Sequence, residues 1–340
     1  MQLPTAFRIR IRIGTGIVRT IRVSPLTRWA LTAGVLAVVA VLPAASPAAA
    51  APSSATGNDV SYPQCPSNFP NPPPAFGIVG VNDGIANVVN PCLGAEMTWA
   101  SGTSGFATST YGPNQPKVQL YVNTADPGDV YNGQPIADWP SSNTGGNDPY
   151  GTCTTTSVKS GRHKTATVGQ NSPACAWQYG WNAANKDVRT FFNTAAGQGG
   201  LDPNAGNYPW WLDVETGNTW QSSTSGLAMN DAVLEGMVAS LSALTNTGSA
   251  SAPIGIYSTG YQWSQITGGE STIDANWSGL AHGAAPAPLD GLSDWVPGAT
   301  SSTGAGSICT ANAAFTRTAA APANVTLAQW VSGFDGDVSC

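Results

Sequence analysis

Apolar residues recur along the chain in two spacings, one typical of β-strands and one typical of helices. Short alternating or continuous apolar runs, such as KVQLYVN and PIGIYS, predict strands at 57–62, 76–82, 117–123, 210–214, 253–258, 293–296 and 326–331. Spacings of three and four residues predict helices at 95–107, 177–196 and 230–244. Strands that alternate with helices favour a parallel sheet whose strands are joined by crossover helices.

One connection is too long and too polar to be an ordinary loop. Residues 128–175, after the third predicted strand, are rich in Gly, Asn, Pro, Ser and Thr. Cys153 and Cys175 lie in this segment, and a disulfide there favours an ordered excursion over a disordered one. We therefore expect one α/β domain with a long, disulfide-containing insertion after its third strand.

The N-terminal segment has the composition of an export signal. The first fifty residues contain six arginines and no acidic residue, and the apolar run over 30–42 precedes the small residues SPAAAAP. That run is shorter than the roughly 20 residues of a membrane-spanning helix. We expect cleavage near Ala50 or Ala51, with a signal peptide over 1–51 and a mature domain over 52–340. A retained N-terminal anchor is the second interpretation.

The charge of the mature chain argues against several classes of partner. Without the signal segment, 7 Lys and Arg face 19 Asp and Glu, a formal charge of −12. So acidic a protein is a poor partner for nucleic acid and for anionic membrane surfaces. We expect a secreted monomer that needs no cofactor and does not contact the membrane after cleavage.

All six cysteines follow the signal segment, which together with export predicts three disulfides. Fifteen pairings are possible in principle. The pairs that close modest local loops are Cys65–Cys92, Cys153–Cys175 and Cys309–Cys340. No CxxC or clustered Cys/His spacing predicts a metal site. His163 and His282 lie in loop-like surroundings, where solvated side chains are expected, and this argues against triad and zinc chemistry.

Two acidic residues stand at the end of the central apolar run, in YPWWLDVETGN. Side chains alternate along a strand, so Asp213 and Glu215 share one side, with α-carbons about 6.6 Å apart. In a parallel barrel that side can be the interior, at the carboxyl ends of the strands. Two such carboxyl groups disfavour double ionisation, and a protonated acid beside an ionised one can cleave a glycosidic bond. The alternative is structural: Asp213 caps a turn and Glu215 is solvated.

Four motifs in order carry a family resemblance: GNDVSYPQC, WWLDVE, PIGIYSTGYQW and LAQWVSGFDGDVSC. Together they resemble the glycoside hydrolase family 25 lysozymes, which are secreted muramidases. The resemblance implies an irregular TIM-type (β/α) barrel and cleavage of β-1,4 bonds in bacterial peptidoglycan, in association with the cell wall. Cys65 stands where the family's first motif usually has glycine.

The resemblance also implies roles for individual residues. Glu215 would be the general acid, and Asp213 would orient the substrate's N-acetyl group, the proposed internal nucleophile. Asp59 and Asp337 would be further acids of the cleft, and Asp335 competes with Asp337 for its position. Structural alternatives are a backbone contact for Asp59 and a tight turn or calcium loop for the other two.

Aromatic residues near the strand ends are candidates for stacking on sugar rings. Trp211 is the strongest candidate among the tryptophans because it shares a face with Asp213 and Glu215. Tyr257 is the second expected substrate-binding residue. Core packing is the alternative for each of these aromatic side chains.

Two other functions compete with a muramidase. A family 18 chitinase also ends a strand in DxE, but its DxxDxDxE pattern would need acids where Tyr208 and Trp211 stand. A barrel that binds cell-wall carbohydrate without cutting it is the second alternative. The altered first motif and the long insertion keep that alternative open.

Overall fold

The structure, a computed structural model, describes most of the expected mature domain. The described residues are 56–71, 73–103, 115–127, 139–140, 143, 147–159, 165–246, 252–269, 272–273, 287–318 and 321–340. They belong to one compact unit, Ala50–Cys340. The predicted signal segment and both histidines lie outside the described residues.

The described part of the chain contains ten strands and six α-helices with defined bounds. The strands are β1 Thr56–Val60, β2 Gly77–Gly80, β3 Val118–Asn123, β4 Thr155–Lys159, β5 Thr165–Gly169, β6 Trp210–Asp213, β7 Ile254–Tyr257, β8 Ser293–Ala299, β9 Val325–Trp330 and β10 Gly336–Ser339. The helices are α1 Leu93–Ser101, α2 Pro173–Lys186, α3 Asn193–Gly199, α4 Thr224–Thr245, α5 Gly260–Thr267 and α6 Ser302–Ala311. A π-helical turn, Asp187–Phe192, joins α2 to α3.

Eight strands close a barrel in the order β1-β10-β9-β8-β7-β6-β3-β2. Strand β10 is antiparallel to both of its neighbours, β1 and β9, and the other pairings in the barrel are parallel. The expected α/β barrel is therefore confirmed in its coarse form, as a closed mixed barrel with helices. The carboxyl ends of its seven parallel strands meet at one mouth.

The seven predicted strands correspond to the seven parallel strands of the barrel, with ends that differ by a few residues. The closing strand β10 was not predicted, because GDVS has neither an apolar run nor β-branched enrichment. Its four residues are all buried between β1 and β9. Tertiary pairing, rather than local preference, therefore makes this segment a strand.

The helices differ more from the prediction than the strands do. Helix α4 begins at Thr224 instead of 230, because the side chain of Ser223 caps it by accepting a hydrogen bond from the amide of Gly226. The predicted helix 177–196 is part of one continuous helical segment that runs from α2 through the π-helical turn to α3. Helices α5 and α6 were not predicted; α6 reads STGAGSICTA, and its small residues carry little helical pattern.

The segment between β3 and α2 is ordered where it is described. Strands β4 and β5 form an antiparallel hairpin, and the Cys153–Cys175 disulfide joins the chain before it to α2. Behind it, the amides of Asn171 and Gln221 exchange two hydrogen bonds, both of 3.0 Å. All three predicted disulfides are present, and such a set indicates an oxidising environment.

Helices α2 and α4 cross at a point where neither has a side chain. A Cβ atom on Gly180 would overlap the carbonyl group of Val233, and one on Gly236 would overlap the carbonyl group of Trp177. Contact between two helix backbones leaves no flexible side chain to yield. Helix α4 is long and apolar enough to span a membrane by composition alone, but this packing makes it a core helix of the domain.

Gly180→Ala should therefore destabilise the protein, by about 1–3 kcal/mol or more, because a methyl group is forced against fixed backbone. The matched control is Gly197→Ala in α3, where a Cβ would meet no heavy atom within 4 Å. That variant should gain roughly 0.5–1 kcal/mol from the better helix former. Free energies of unfolding from urea titration check both, and equal effects of the two changes would contradict the close crossing.

Candidate active site

An open cavity of about 260 Å³ lies at the mouth of the barrel. Its size is close to the lower limit of about 300 Å³ for small-molecule pockets. Acidic, amide and aromatic side chains dominate its lining. The lining residues are Asp59, Val60, Ser61, Pro63, Gln64, Tyr121, Asp213, Glu215, Tyr257, Trp295, Gln329, Gly333, Phe334 and Asp335.

The DxE acids both reach this cavity, as the alternation of strand side chains predicts. Strand β6 ends at Asp213, and the intervening Val214 is fully buried. The amide of Val214 still donates to the carbonyl of Tyr257, so the backbone continues the strand for one more residue. Asp213 is buried and Glu215 is partly exposed. The two carboxyl groups therefore face the cavity from different depths.

Burial raises the pKa of Asp213 well above its ordinary value, and the negative charge of Glu215 raises it further. One oxygen of Asp213, Oδ2, accepts a hydrogen bond of 2.6 Å from the side-chain amide of Asn123, which opposes the rise. The other oxygen, Oδ1, is buried and has no hydrogen-bond partner among the described residues. Asp213 can therefore hold a proton on Oδ1 while Asn123 fixes the carboxyl group.

Asp59, on β1, lines the same cavity, and its charge acts on Asp213. Its Oδ2 accepts from the side-chain nitrogen of Gln329 at 2.9 Å. The side-chain oxygen of the same Gln329 accepts from the hydroxyl of Tyr257 at 2.9 Å. Tyr257 thus fixes which end of the amide faces the acid. Burial raises the pKa of Asp59 to about 7, and the charge of Asp335 contributes.

Asp337 lies below the cavity and does not line it. It is fully buried on β10, where its Oδ1 accepts from the indole N–H of Trp295 at 2.9 Å. Burial and the nearby charge of Asp59 raise the pKa of Asp337 well above the ordinary value. Its other oxygen, Oδ2, is buried and has no hydrogen-bond partner among the described residues. Asp335, the competing candidate from the sequence, is the one that lines the cavity.

The two predicted sugar-binding aromatic residues lie at different heights in the barrel. Tyr257 lines the cavity, and its ring meets the ring of Trp295 edge-on, with centroids 4.5 Å apart. Trp211 does share a face with Asp213, but it is two residues deeper, inside the barrel. Its indole is buried and donates to Gln119 at 2.9 Å, so it does not line the cavity described here. Core packing, the alternative weighed for it, describes its position.

Four residues that shape the site were not among the site residues predicted from the sequence, although Trp295 was one of several tryptophans noted near strand ends and Gln329 belongs to the closing motif. Tyr121 and Trp295 line the cavity, and Asn123 and Gln329 hold its acids. Asn123 ends β3, and Tyr121 lies two residues before it. Gln329 lies one residue before the end of β9, and Trp295 pairs with Tyr257 at the end of β7. Strand pairing could have found Asn123, which is in register with Asp213.

The cavity carries negative charge without a matching cation. Asp59, Asp213, Glu215 and Asp335 line it, and no lysine or arginine is among the lining residues that the structure describes. Within the same part of the chain, no group of three or more His, Cys, Asp or Glu side chains is placed to hold a metal ion. The side-chain donors that reach two of these acids are neutral amides, Asn123 for Asp213 and Gln329 for Asp59.

No family model matches the chain, and no curated protein is similar enough to count as a relative. The family resemblance of the motifs therefore stays a prediction.

Stability should decrease as the pH rises from about 4 to above 7. The pKa of Asp59 is raised from 3.8 to about 7, so between these values the folded protein keeps a proton that the unfolded chain releases. Its contribution is complete below 3.8 and is lost as the pH rises through about 7. The same direction holds for the buried acids Asp126 and Asp187.

Thermal unfolding at pH 4.5 and pH 8 measures this dependence. Asp59→Asn keeps an acceptor for Gln329 but cannot ionise, so its difference between the two pH values should be smaller than that of the wild type. An equal difference in both proteins would show that Asp59 titrates normally.

Proposed function

We propose that the protein is a secreted glycoside hydrolase that cleaves β-1,4 bonds of bacterial cell-wall glycan, as a muramidase of the family 25 type. The observation that carries the proposal is the pair formed by the buried Asp213 and the more exposed Glu215 at an open cavity. An acid that holds a proton beside one that meets solvent is the arrangement that glycosidic cleavage needs. We also propose that the barrel is of the irregular TIM type and that residues 128–175 form an insertion in it.

Substrate binding would decide which acid of the pair carries the proton. In this proposal the Asp213 carboxyl group accepts the N–H of an N-acetyl group of the sugar through Oδ1, which is buried and has no hydrogen-bond partner among the described residues. A new hydrogen bond to this oxygen favours the ionised form of Asp213. The proton that Asp213 gives up then moves to Glu215, the more exposed member of the pair.

The reaction uses these two acids in opposite ways. Glu215 gives its proton to the glycosidic oxygen as the bond from that oxygen to the anomeric carbon breaks. The carbonyl oxygen of the N-acetyl group bonds to the anomeric carbon, while the Asp213 carboxylate orients the acetamido N–H. Glu215, now ionised, takes a proton from the water that opens this intermediate, which restores the starting state.

Tyr257 and Trp295 support a sugar ring as the substrate. Both line the cavity, and their edge-to-face contact fixes the two rings. Asp59 and Gln329 add acceptors and donors that suit hydroxyl groups. Asp337 would act only through Asp59, because it lies below the cavity.

Two exposed tyrosines support a polymeric substrate. Tyr62 follows β1 and is 44% exposed, and Tyr261 follows β7 and is 72% exposed. Strands β1 and β7 stand four positions apart in either direction around the eight-stranded barrel. Neither ring is among the lining residues, so in this proposal a glycan chain that crosses the cavity contacts the two rings beyond it.

Glu215→Gln and Asp213→Asn should each lower the clearing of purified bacterial cell walls by about 10²–10⁴-fold, because each removes an acid or base from the reaction. Both changes preserve size, so binding of the walls should remain. Asp202→Asn, at an exposed acid outside the cavity lining, is the control and should clear walls like the wild type.

A different outcome supports the binding protein that the sequence also allows. If the wild type and Glu215→Gln bind the walls equally and neither clears them, the barrel binds carbohydrate without cutting it.

Tyr62→Ala and Tyr261→Ala should weaken action on long glycan chains by about two- to tenfold, the loss expected for one aromatic contact. Action on the shortest fragment that is cleaved should be unchanged, because such a fragment does not reach the rim. Tyr62→Phe and Tyr261→Phe keep the rings and serve as controls. Equal losses on long and short substrates would contradict a chain that crosses the mouth.

A further inference from the structure

A buried polar chain leads from the cavity to the outer helical layer. The side-chain amide of Asn123 donates to Asp213 at 2.6 Å, and the backbone amide of Asn123 donates to the side-chain oxygen of Asn82 at 2.9 Å. The side-chain nitrogen of Asn82 donates to Asp187 at 3.0 Å. Asp187 is 1% exposed and begins the π-helical turn. Three hydrogen bonds and one residue of β3 thus connect Asp187 to a site acid.

Backbone pairing fixes the direction of this chain. The last contact of β2 with β3 in this region is the amide of Val81, which donates to the carbonyl of Tyr121 at 2.9 Å. The carbonyl of Val81 accepts from the amide of Asn90 instead of from β3. The amide of Asn123 would therefore be left without an acceptor, and the side chain of Asn82 supplies one.

The orientation of Asn82 follows from chemistry alone. A backbone N–H can only donate, so the atom of Asn82 that faces β3 must be its oxygen. Its nitrogen then faces the helical layer and needs an acceptor in a fully buried place. Asp187 is that acceptor, while the neighbouring Lys186 directs its ammonium group to the carbonyl of Asn87. The π-helical turn carries Asp187, and such turns often occur at functional sites.

We propose that Asp187 is a positioning residue for Asp213. It holds the amide of Asn82, and Asn82 in turn holds the end of β3. The donor of Asn123 is thereby kept against the Asp213 carboxyl group. A catalytic consequence of this positioning rests on the proposed function. The positioning itself can be measured without any activity.

The measurable property is the proton affinity of Asp213. The hydrogen bond from Asn123 lowers its pKa, against burial and against the charges of Glu215 and Asp59. The hydroxyls of Tyr121 and Tyr257 also face this group of acids. If Asn123 is held less firmly, its hydrogen bond to Asp213 weakens and the pKa of Asp213 rises, while the surrounding acids stay in place.

The test is a titration of the Asp213 carboxyl group by ¹³C NMR in the secreted chain, with the signal assigned by its loss in Asp213→Asn. Asn123→Ala removes the donor directly and should move the titration midpoint to higher pH. Asp187→Ala should move it in the same direction by no more than Asn123→Ala does. Asp187→Asn keeps an oxygen acceptor for Asn82 and should restore the wild-type midpoint.

Glu96→Ala is the matched control. Glu96 is also a fully buried acid that accepts from an asparagine amide, at 2.6 Å from Asn90, and Asn90 holds the end of β2 instead of β3. This variant should leave the titration of Asp213 unchanged. If Asp187→Ala does not fold, Asn82→Ala breaks the same chain at its centre and should give the same upward shift.

An unchanged midpoint in Asp187→Ala, or in Asn82→Ala where that variant replaces it, would overturn the proposal, as would an equal shift in Glu96→Ala. Cleavage of cell walls is read separately. A shifted midpoint in a protein that cleaves no glycan keeps the positioning role and removes the proposed function. Normal cleavage with an unshifted midpoint does the reverse.

Discussion

The site depends on one constraint: several carboxyl groups are removed from water at the mouth of the barrel, and the described residues that line it include no lysine or arginine. Burial disfavours the charged form, so protons stay on these acids at pH values where exposed carboxyl groups have lost them. Neutral donors prevent the burial from becoming too costly: an amide for Asp213, a second amide for Asp59 and an indole for Asp337. These donors fix each carboxyl group in place and still leave it able to titrate. The buried acids at the barrel mouth therefore keep their protons to a higher pH than exposed carboxyl groups do.

The antiparallel strand β10 brings Asp337 close to Asp59 and to Gln329, the residue that donates to Asp59. Its register places Asp337 opposite Gly57 on β1 and opposite Gln329 on β9. Two glycines make this pairing sterically possible: a Cβ atom on Gly57 would overlap the ring of Phe76, and one on Gly336 would overlap the ring of Trp330. Large side chains on neighbouring strands fill the space that the glycines leave. Packing between strands that are distant in sequence thus decides which acids meet.

Local sequence patterns predicted the features that depend on local geometry. The alternation of strand side chains placed Asp213 and Glu215 at one cavity, and short loops predicted all three disulfides. Alternation gives the face of a strand but not the height along the barrel, so Trp211 was expected at the mouth and is found in the core. The residues that hold the acids come from other strands, and their contacts depend on register that no single segment contains. The sequence could not decide whether Asp335 or Asp337 faces the cavity, because β10 carries no strand pattern from which its side-chain directions could be predicted.

The nature of the donors is as important as their positions. An arginine or lysine at the place of Asn123 or Gln329 would also satisfy the acids, and would bind them more strongly. It would, however, lower the pKa of the neighbouring carboxyl group, because a positive charge favours the ionised form. An amide donates one hydrogen bond without adding charge, and its other end can be held by a second residue, as Tyr257 holds Gln329. Orientation is then set by a relay of neutral groups, and proton affinity is set by burial.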